Sequence, residues 1–291
     1  MSDSVVGLKL DANANHDESH ATYLGRACEL AYLDAKQGSI EFRKQLGLDA
    51  ELISISNTQA YIGENDGAIV VAFRGSESFT TIDGFKDWLL TNARNFLILP
   101  EGRIGTDFAA AGVGARFHSG FMSALNDIWD PLFAKVDNAY SECERPVWLT
   151  GHSLGGALAL LCAWRLHQHF VAVHQICTFG APMIGNDIAA EAFKREFPSK
   201  IYRYVDIGDI VPKLPTISLF SNSYAHCDTE IVVGEATEKS ALNCLKETAA
   251  QTVDGAINSL VANSLWSEVK KGMPSHLMGN YLSRLTSKRR Q

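Results

Sequence analysis

Long hydrophobic runs are missing from this sequence, since none approaches the roughly 18 apolar residues that a membrane-spanning helix needs. We therefore expect no transmembrane anchor. The first ten residues lack a basic start and a long apolar core, so they do not resemble a secretory signal. This predicts a cytoplasmic protein, with leaderless secretion as the alternative.

An excess of positive charge is also missing, and a net charge of −7 argues against nucleic acid as the main partner. No C-x-x-C pair occurs among the six cysteines, which argues against zinc binding and redox chemistry. Free thiols in a reducing compartment are the expectation for these cysteines.

Size and composition are those of an ordinary globular protein, with 291 residues of which 46% are hydrophobic and 20% are charged. They suit one large α/β domain over residues 20–291, preceded by a polar and loose segment over residues 1–19. Strand and helix patterns alternate, which predicts a mostly parallel sheet with helices on both faces. Ser39 is the predicted N-cap of the second helix. The predicted strands lie at 51–56, 68–73, 174–179 and 201–205, and the predicted helices at 20–35, 39–47, 84–96, 120–140 and 187–197.

One stretch combines a serine with the small neighbours that a nucleophile on a sharp turn requires. Gly151-His152-Ser153-Leu154-Gly155 follows a short apolar run at 147–150 and opens a long apolar segment at 156–164. A strand, a tight turn and a helix form the context in which such a G-x-S-x-G pattern indicates a nucleophilic serine. The glycines give helix and strand the clearance to cross closely. We expect the backbone N–H groups of Ser153 and Leu154 to face the reacting carbonyl at the positive end of the helix.

A nucleophilic serine needs a base, and the histidines after the motif are the candidates. His226 and His276 both remain once position along the predicted elements is considered. His276 is preferred because it follows a turn-like stretch at 272–275 that can present a side chain from a loop. A capping or surface role is the alternative for His276. Three other histidines lie on the helix after the motif or at the start of a strand away from the catalytic edge: His167, His169 and His174.

The carboxylate that orients the base is expected on a loop that follows a strand. The strand over 201–205 is followed directly by such a loop, and Asp206 and Asp209 both lie in it. One of the two is expected only to hydrogen-bond the turn, which is the commoner role of a loop aspartate. Position along the chain does not separate them.

A second donor to the oxyanion is expected from a loop after an early strand. The apolar strand ending at Phe73 continues into Arg74-Gly75-Ser76. Gly75 permits close approach of the backbone, and Ser76 offers both an N–H and a hydroxyl donor. The alternative is an ordinary turn at the end of the strand.

The segment 78–100, directly after this loop, mixes large apolar side chains with charged ones. A site that binds an apolar substrate must itself be apolar, and an apolar patch exposed to water promotes aggregation. A mobile cover, or lid, over such a site is therefore one interpretation of this mixture. A fixed helix with Trp88 in the core is the other. The candidate cover and substrate-binding residues are Phe79, Ile82, Phe85, Trp88 and Leu89.

Six short motifs occur in a fixed order along the chain. They are F-R-G-S at 73–76, F-H-S-G-F at 117–121, G-H-S-L-G-G-A-L-A at 151–159, T-F-G-A-P at 178–182, D-I-V-P at 209–212 and H-L-M at 276–278. This series resembles the lipase class 3 family, typified by triacylglycerol lipases of filamentous fungi, and the resemblance covers residues 65–283.

The resemblance implies an α/β-hydrolase fold whose chemistry needs no metal or cofactor. It favours Asp209 over Asp206 as the acid, and it gives His118 a packing role near the site. The implied site residues are the nucleophile Ser153, the acid Asp209, the base His276 and the oxyanion donors Ser76 and Leu154.

The expected function is hydrolysis of lipid carboxylic esters at a lipid–water interface through an acyl-enzyme, with triacylglycerol as the leading substrate. A phospholipase A1 or a short-chain carboxylesterase would use the same residues. A non-catalytic lipid-binding or regulatory protein that keeps the fold is the alternative from another class.

Overall fold

A sheet of seven strands forms the centre of the structure. The structure, a computed structural model, describes residues 9–75, 97–213, 224–234 and 273–288. The strands of these residues are β1 (Asp49–Ile55), β2 (Thr58–Asn65), β3 (Ala68–Phe73), β4 (Leu97–Ile98), β5 (Phe117–His118), β6 (Val147–His152), β7 (Val173–Phe179), β8 (Gly185–Asn186), β9 (Ile201–Asp206), β10 (Tyr224–Ala225) and β11 (Thr229–Val233).

The strand order across the central sheet is β1-β2-β3-β6-β7-β9-β11. Strand β2 pairs antiparallel with β1 and β3, and from β3 to β11 every neighbouring pair is parallel. Parallel neighbours need a crossover, so the chain passes over a face of the sheet between them. The prediction of a mostly parallel sheet is confirmed. The short strands β10, β8, β5 and β4 form a second sheet.

Helices cover both faces of the central sheet, as the sequence predicts. On β3, Ile69, Val71 and Phe73 pack in one hydrophobic cluster, while Val70 and Ala72 pack in the other. Burial on both sides explains why this strand is apolar at every position. The helices whose bounds lie within the described residues are α1 (Glu18–Leu30), α2 (Ala35–Leu46), α3 (Gly102–Ala109), α4 (Ser119–Glu142), α5 (Leu154–Gln168), α6 (Asp187–Glu196) and α7 (Met278–Lys288), and Val211–Lys213 forms a 3-10 turn. Residues 273–276 are helical too, so the prediction that His276 is presented from a loop is wrong.

The two hydrophobic clusters divide the helices between the faces. Helices α3, α4, α5 and α6 contribute to the cluster that contains Ile69, whereas α1, α2 and α7 contribute to the cluster that contains Val70. Within the described ranges, no helix is both long enough and apolar enough to cross a lipid bilayer.

Side-chain caps start the first two helices earlier than the sequence patterns predict. The carboxylate of Asp17 accepts from two backbone N–H groups of the first turn, so α1 begins before residue 20. Asp34 caps α2 in the same way, and the predicted cap Ser39 is wrong because it lies inside the helix. The predicted end of α2 is confirmed by Gly47, whose φ of 65° suits glycine. The helix predicted over 84–96 lies outside the described residues.

The polar segment before α1 packs on the sheet in the part that the structure describes. The ring of His16 stacks on Tyr202 with 3.7 Å between centroids, and its Nε2 lies 2.8 Å from the hydroxyl of Tyr204. The stretch around His16 therefore differs from the loose segment predicted over 1–19, because stacking and a hydrogen bond hold it to the sheet. The assignment of residues 20–291 to one domain stays a prediction.

Candidate active site

Ser153 lies in the turn between β6 and α5, at the end of a central strand of the sheet. Its φ of 56° and ψ of −128° form a backbone conformation that a residue with a Cβ rarely adopts. Such a sharp turn presents the side chain beyond the strand end and next to the start of the helix. The predicted strand, turn and helix around this serine are confirmed.

Glycine is required on both sides of this turn because backbone atoms come too close for any side chain. A Cβ on Gly151 would lie 2.1 Å from the carbonyl oxygen of Gly155, and a Cβ on Gly155 would lie 2.4 Å from that of Phe73. Both distances are far shorter than van der Waals contact. The spacing of the motif therefore follows from how closely the start of α5 crosses β6 and the end of β3.

The ring of His276 bridges the serine and a carboxylate. Its Nε2 lies 2.9 Å from Oγ of Ser153, and its Nδ1 lies 2.7 Å from Oδ2 of Asp209. The carboxylate accepts the ring proton, so Nδ1 carries that proton and Nε2 accepts the hydroxyl hydrogen of Ser153. All three side chains are buried. This arrangement suits removal of the serine proton as its oxygen attacks a carbonyl carbon.

Donors from three places hold the carboxylate of Asp209. The backbone N–H of Val211 donates to Oδ1 at 2.9 Å, and the hydroxyl of Tyr281 donates to Oδ2 at 2.7 Å. The third donor is the ring of His276. Because a buried carboxylate without partners is costly, these donors make the position of Asp209 tenable.

Asp206, the other candidate acid, has different partners. Its Oδ1 accepts from a backbone N–H of its own loop at 2.9 Å, and its Oδ2 accepts from Nδ2 of Asn280 at 3.0 Å. The same Oδ2 lies 3.5 Å from Nε of Arg284. Asp206 therefore ties the loop to α7, whereas Asp209 contacts the ring of His276.

His226, the other candidate base, contacts the carbonyl oxygen of Pro212 through its Nε2. Burial above all, together with the nearby Arg203, lowers the pKa of its ring to about 3. His276 is the candidate base that the structure brings to Ser153.

Tyr281 is a further residue of the site, and the sequence patterns do not indicate it. Its hydroxyl accepts from the N–H of Asp206 at 3.0 Å and donates to Asp209. Burial raises the pKa of this hydroxyl well above its ordinary range, so it remains a donor. In the sequence, Tyr281 shares an apolar stripe with Leu282 and Leu285, where a tyrosine is normally a core residue.

Of the two predicted oxyanion donors, Leu154 falls within the described residues, and its role stays a prediction. Leu154 is the first residue of α5, where backbone N–H groups lack an intrahelical acceptor and the helix end is positive. The expectation that the N–H of Ser153 also faces the carbonyl is wrong, because it donates to the carbonyl of Phe179 at 2.9 Å. That bond extends the pairing of β6 with β7 past its last residue pair.

The loop expected to supply the second donor is described as far as Gly75, whose backbone lies against the nucleophile turn. A Cβ on Gly75 would lie 2.8 Å from the carbonyl oxygen of His152 and 3.3 Å from Cβ of Ser153. The roles of the next residue and of the cover stay predictions. Outside the described residues lie Ser76, Phe79, Ile82, Phe85, Trp88 and Leu89.

His118, to which the resemblance gives a packing role, caps α4. Its Nδ1 accepts from the N–H of Phe121 at 3.4 Å, and the two rings stack with 4.0 Å between centroids. Burial lowers the pKa of this ring to about 4, so it is neutral at ordinary pH. Its contacts are those of a packed capping residue.

Comparison with known proteins relates the chain to lipases. A chloroplastic phospholipase A(1) of Arabidopsis thaliana is 27% identical over 167 residues, which cover 54% of this chain and 35% of that protein. A secreted mono- and diacylglycerol lipase of Gibberella zeae is 26% identical over 171 residues, which cover 57% of this chain and 50% of that protein. The chain thus spans between about a third and a half of the length of these relatives.

The fold is shared with a solved triacylglyceride lipase of Rhizomucor miehei. The TM-score is 0.55 at 23% identity, over 74% of this chain and 78% of that one. This likeness confirms the expected α/β-hydrolase fold. Residues 70–219 match the family model described as Lipase (class 3). The resemblance carried by the short motifs is therefore confirmed, and the chain belongs to the lipase class 3 family.

Proposed function

We propose that this chain hydrolyses carboxylic esters of lipids through an acyl-enzyme on Ser153. The observation that carries the proposal is the unbroken hydrogen-bond path from Ser153 through His276 to Asp209, at 2.9 Å and 2.7 Å. Membership of the lipase class 3 family supports the same chemistry. The path also argues against a non-catalytic lipid-binding protein, for which a base in contact with a buried serine has no use.

The proposed reaction begins when Oγ of Ser153 attacks the acyl carbonyl carbon and its proton passes to Nε2 of His276. The ester C–O bond then breaks, and the proton on Nε2 moves to the leaving alcohol. Water next attacks the carbonyl carbon of the acyl-enzyme while His276 takes a proton from the water. His276 then returns that proton to Oγ of Ser153 as the bond to the acyl group breaks, which releases the fatty acid. Asp209 orients the ring and stabilises its positive charge in both halves.

Two donors are proposed for the oxyanion that forms in each half of the reaction. The N–H of Leu154 is supported by its place at the positive end of α5, directly after the nucleophile. Ser76 is supported by the contact of its neighbour Gly75 with the nucleophile turn. Loss of one such donor typically lowers kcat by about a hundredfold to a thousandfold.

A neutral acylglycerol, with triacylglycerol first, is the proposed substrate class, met at a lipid–water interface. The Gibberella zeae relative is a mono- and diacylglycerol lipase, and the solved structure is a triacylglyceride lipase. Leu277, directly after His276, is 51% exposed and places an apolar side chain at the surface beside the base. A glycerophospholipid is the second candidate, because the Arabidopsis relative is a phospholipase A(1).

A substrate panel with wild-type protein and the Ser153→Ala variant tests the proposal. The panel contains triacylglycerol emulsions, phosphatidylcholine vesicles and a short-chain p-nitrophenyl ester. We expect the fastest turnover on the emulsion and loss of all three activities in the variant. Turnover of the dissolved ester alone would indicate a short-chain carboxylesterase, and equal turnover by both proteins would contradict the proposal. A steep rise above the solubility limit of the ester would support a cover within 78–100.

A further inference from the structure

His152, which directly precedes the nucleophile, lies between the base and a tyrosine from a distant part of the chain. Its Nε2 is 2.6 Å from the carbonyl oxygen of His276, and its Nδ1 is 2.9 Å from the hydroxyl of Tyr32. Tyr32 follows α1 and precedes His152 by 120 residues. The nucleophile motif places no demand on this position, so the contacts of His152 need an explanation of their own.

The direction of each hydrogen bond follows from the chemistry of the partners. A carbonyl oxygen can only accept, so Nε2 of His152 carries the ring proton. The Nδ1 atom is then unprotonated and accepts from the hydroxyl of Tyr32. The oxygen of that hydroxyl also lies against the backbone of Gly75, where a Cβ would be 2.3 Å from it. A continuous path of contacts therefore runs from Gly75 through Tyr32 and His152 to the carbonyl of His276.

The side chains of His152 and Tyr32 each keep one protonation state over the pH range in which a histidine base works. Burial above all, together with the neighbouring His276, lowers the pKa of His152 to about 3. Burial also raises the pKa of Tyr32 above its ordinary range. The ring of His152 lies 4.7 Å from that of His276 between centroids. Being neutral, it adds no like charge when His276 takes up a proton.

The Gly75 end of this path is tightly packed. A Cβ on Gly75 would lie 2.3 Å from the hydroxyl oxygen of Tyr32 and 2.8 Å from the carbonyl oxygen of His152. The backbone of Gly75 thus touches both residues, and Ser76, the proposed oxyanion donor, is bonded directly to it. A displacement of Tyr32 or His152 would therefore displace the start of the donor loop.

We infer that Tyr32 and His152 are positioning residues that hold the donor loop and the base His276 at a fixed spacing. The inference rests on the proposed ester hydrolysis and deepens it. The contacts through Tyr32 and His152 connect the base His276 to the donor loop, and both act in the same transition state. The base takes the proton of Ser153, while the loop is proposed to bind the oxyanion. Catalysis depends on both groups keeping their geometry, and small displacements are costly.

A double-mutant cycle tests the connection. Tyr32→Phe removes the hydroxyl that donates to His152 and lies against the backbone of Gly75. His152→Gln keeps an amide donor for the His276 carbonyl but has no acceptor at the position of Nδ1. Each single change is expected to lower kcat about tenfold with little change in KM. The kcat of the double variant should fall by about the same factor as that of the worse single variant, because either change alone already interrupts the contacts between Gly75 and His276.

Tyr23→Phe is the matched control for Tyr32→Phe. Tyr23 is a buried tyrosine of α1 whose hydroxyl donates to the carbonyl of Leu46 at 2.7 Å. The control should lower the melting temperature and leave kcat unchanged. The inference is wrong if Tyr32→Phe behaves like this control. It is also wrong if the single losses multiply to about a hundredfold in the double variant, because the two residues then act independently.

Two measurements that do not depend on turnover separate this inference from the proposed function. Nitrogen-15 NMR should show His152 neutral and protonated on Nε2, and exchange of the Gly75 N–H should speed up in Tyr32→Phe but not in Tyr23→Phe. An active wild-type protein with His152 cationic or protonated on Nδ1 would overturn the inference alone. The expected NMR result in a protein whose Ser153 never reacts would instead contradict the proposed function and, with it, the positioning role.

Discussion

The hydroxyl of Tyr281 donates to Oδ2 of Asp209 over 2.7 Å, the same oxygen that faces Nδ1 of His276. The N–H of Asp206 holds that hydroxyl from another side at 3.0 Å. A hydrogen bond to a carboxylate is stronger than one between neutral groups, so this contact fixes the orientation of Asp209.

Tyr281→Phe is therefore expected to lower kcat about tenfold with little change in KM, because the carboxylate can rotate away from the ring. Steady-state hydrolysis of a soluble p-nitrophenyl ester measures the effect. Tyr61→Phe is the control, since the hydroxyl of Tyr61 donates to the carbonyl of Asp34 at 2.6 Å in another part of the fold. An equal loss in both variants would show that Tyr281 has only a general stabilising role.

The two aspartates of the loop after β9 should differ sharply when each is changed to asparagine. Asp209→Asn is expected to lower kcat by about ten-thousandfold, because an amide favours the wrong tautomer of His276. Asp206→Asn should stay within about tenfold of wild type, since Asp206 contacts Asn280 and Arg284 instead of the ring. The opposite ranking in kcat would make Asp206 the acid.

The glycines of the nucleophile turn should tolerate no side chain. Gly155→Ala places a Cβ 2.4 Å from the carbonyl of Phe73, and it should lower the free energy of unfolding by about 1–3 kcal/mol or more. Gly279→Ala in α7 is the control, because a Cβ there has nothing within 4 Å. The control should raise the free energy of unfolding by up to about 0.5 kcal/mol. Urea denaturation measures both, and similar stability of the two variants would contradict the close crossing.

Stability should fall on acidification because three histidines are buried in the neutral form. Burial lowers the pKa of His118 to about 4 and those of His152 and His226 to about 3, from an ordinary value of 6.5. Below pH 6.5 the unfolded chain binds protons at these rings and the folded chain does not. The free energy of unfolding should therefore be insensitive to them above that pH and fall by about 1.4 kcal/mol per pH unit for each ring below it.

Urea denaturation from about pH 8 down to about pH 4.5 measures this slope. His226→Gln removes one titrating ring that lies apart from Ser153. The fall in the free energy of unfolding with decreasing pH should then be shallower, while the pH-independent region above the fall should remain. A slope that is the same in wild type and variant would mean that His226 does not titrate as its burial indicates.

Local patterns predicted much of the fold because the elements near the site carry their own signals. The apolar run of β3 indicates a strand covered on both faces, and the glycines around Ser153 indicate a close crossing. The cap of α2 was missed because Asp34 and Ser39 are both good capping residues, and the choice depends on how the chain leaves α1.

Contacts between distant parts of the chain could not be predicted in this way. Asp206 and Asp209 follow one strand, and what separates them is the place to which His276 returns, 67 residues after Asp209. Tyr281 has the pattern of a core residue, and its polar role depends on the buried carboxylate opposite it. The local pattern around Ser153 indicates an N–H that is free to bind the oxyanion. The true acceptor of this N–H, the carbonyl of Phe179, lies on a neighbouring strand and cannot be found from the local pattern.

Reaction of the folded protein with a fluorophosphonate probe, followed by mass spectrometry of the intact chain and its peptides, tests the central claim most directly. If Ser153 is a nucleophile activated by His276, one phosphonyl group should add per chain, on the peptide that contains Ser153. Labelling should be strongly slowed in His276→Ala and absent in a folded Ser153→Ala. No adduct on the folded wild-type protein, or an equal adduct on Ser153→Ala, would contradict the account.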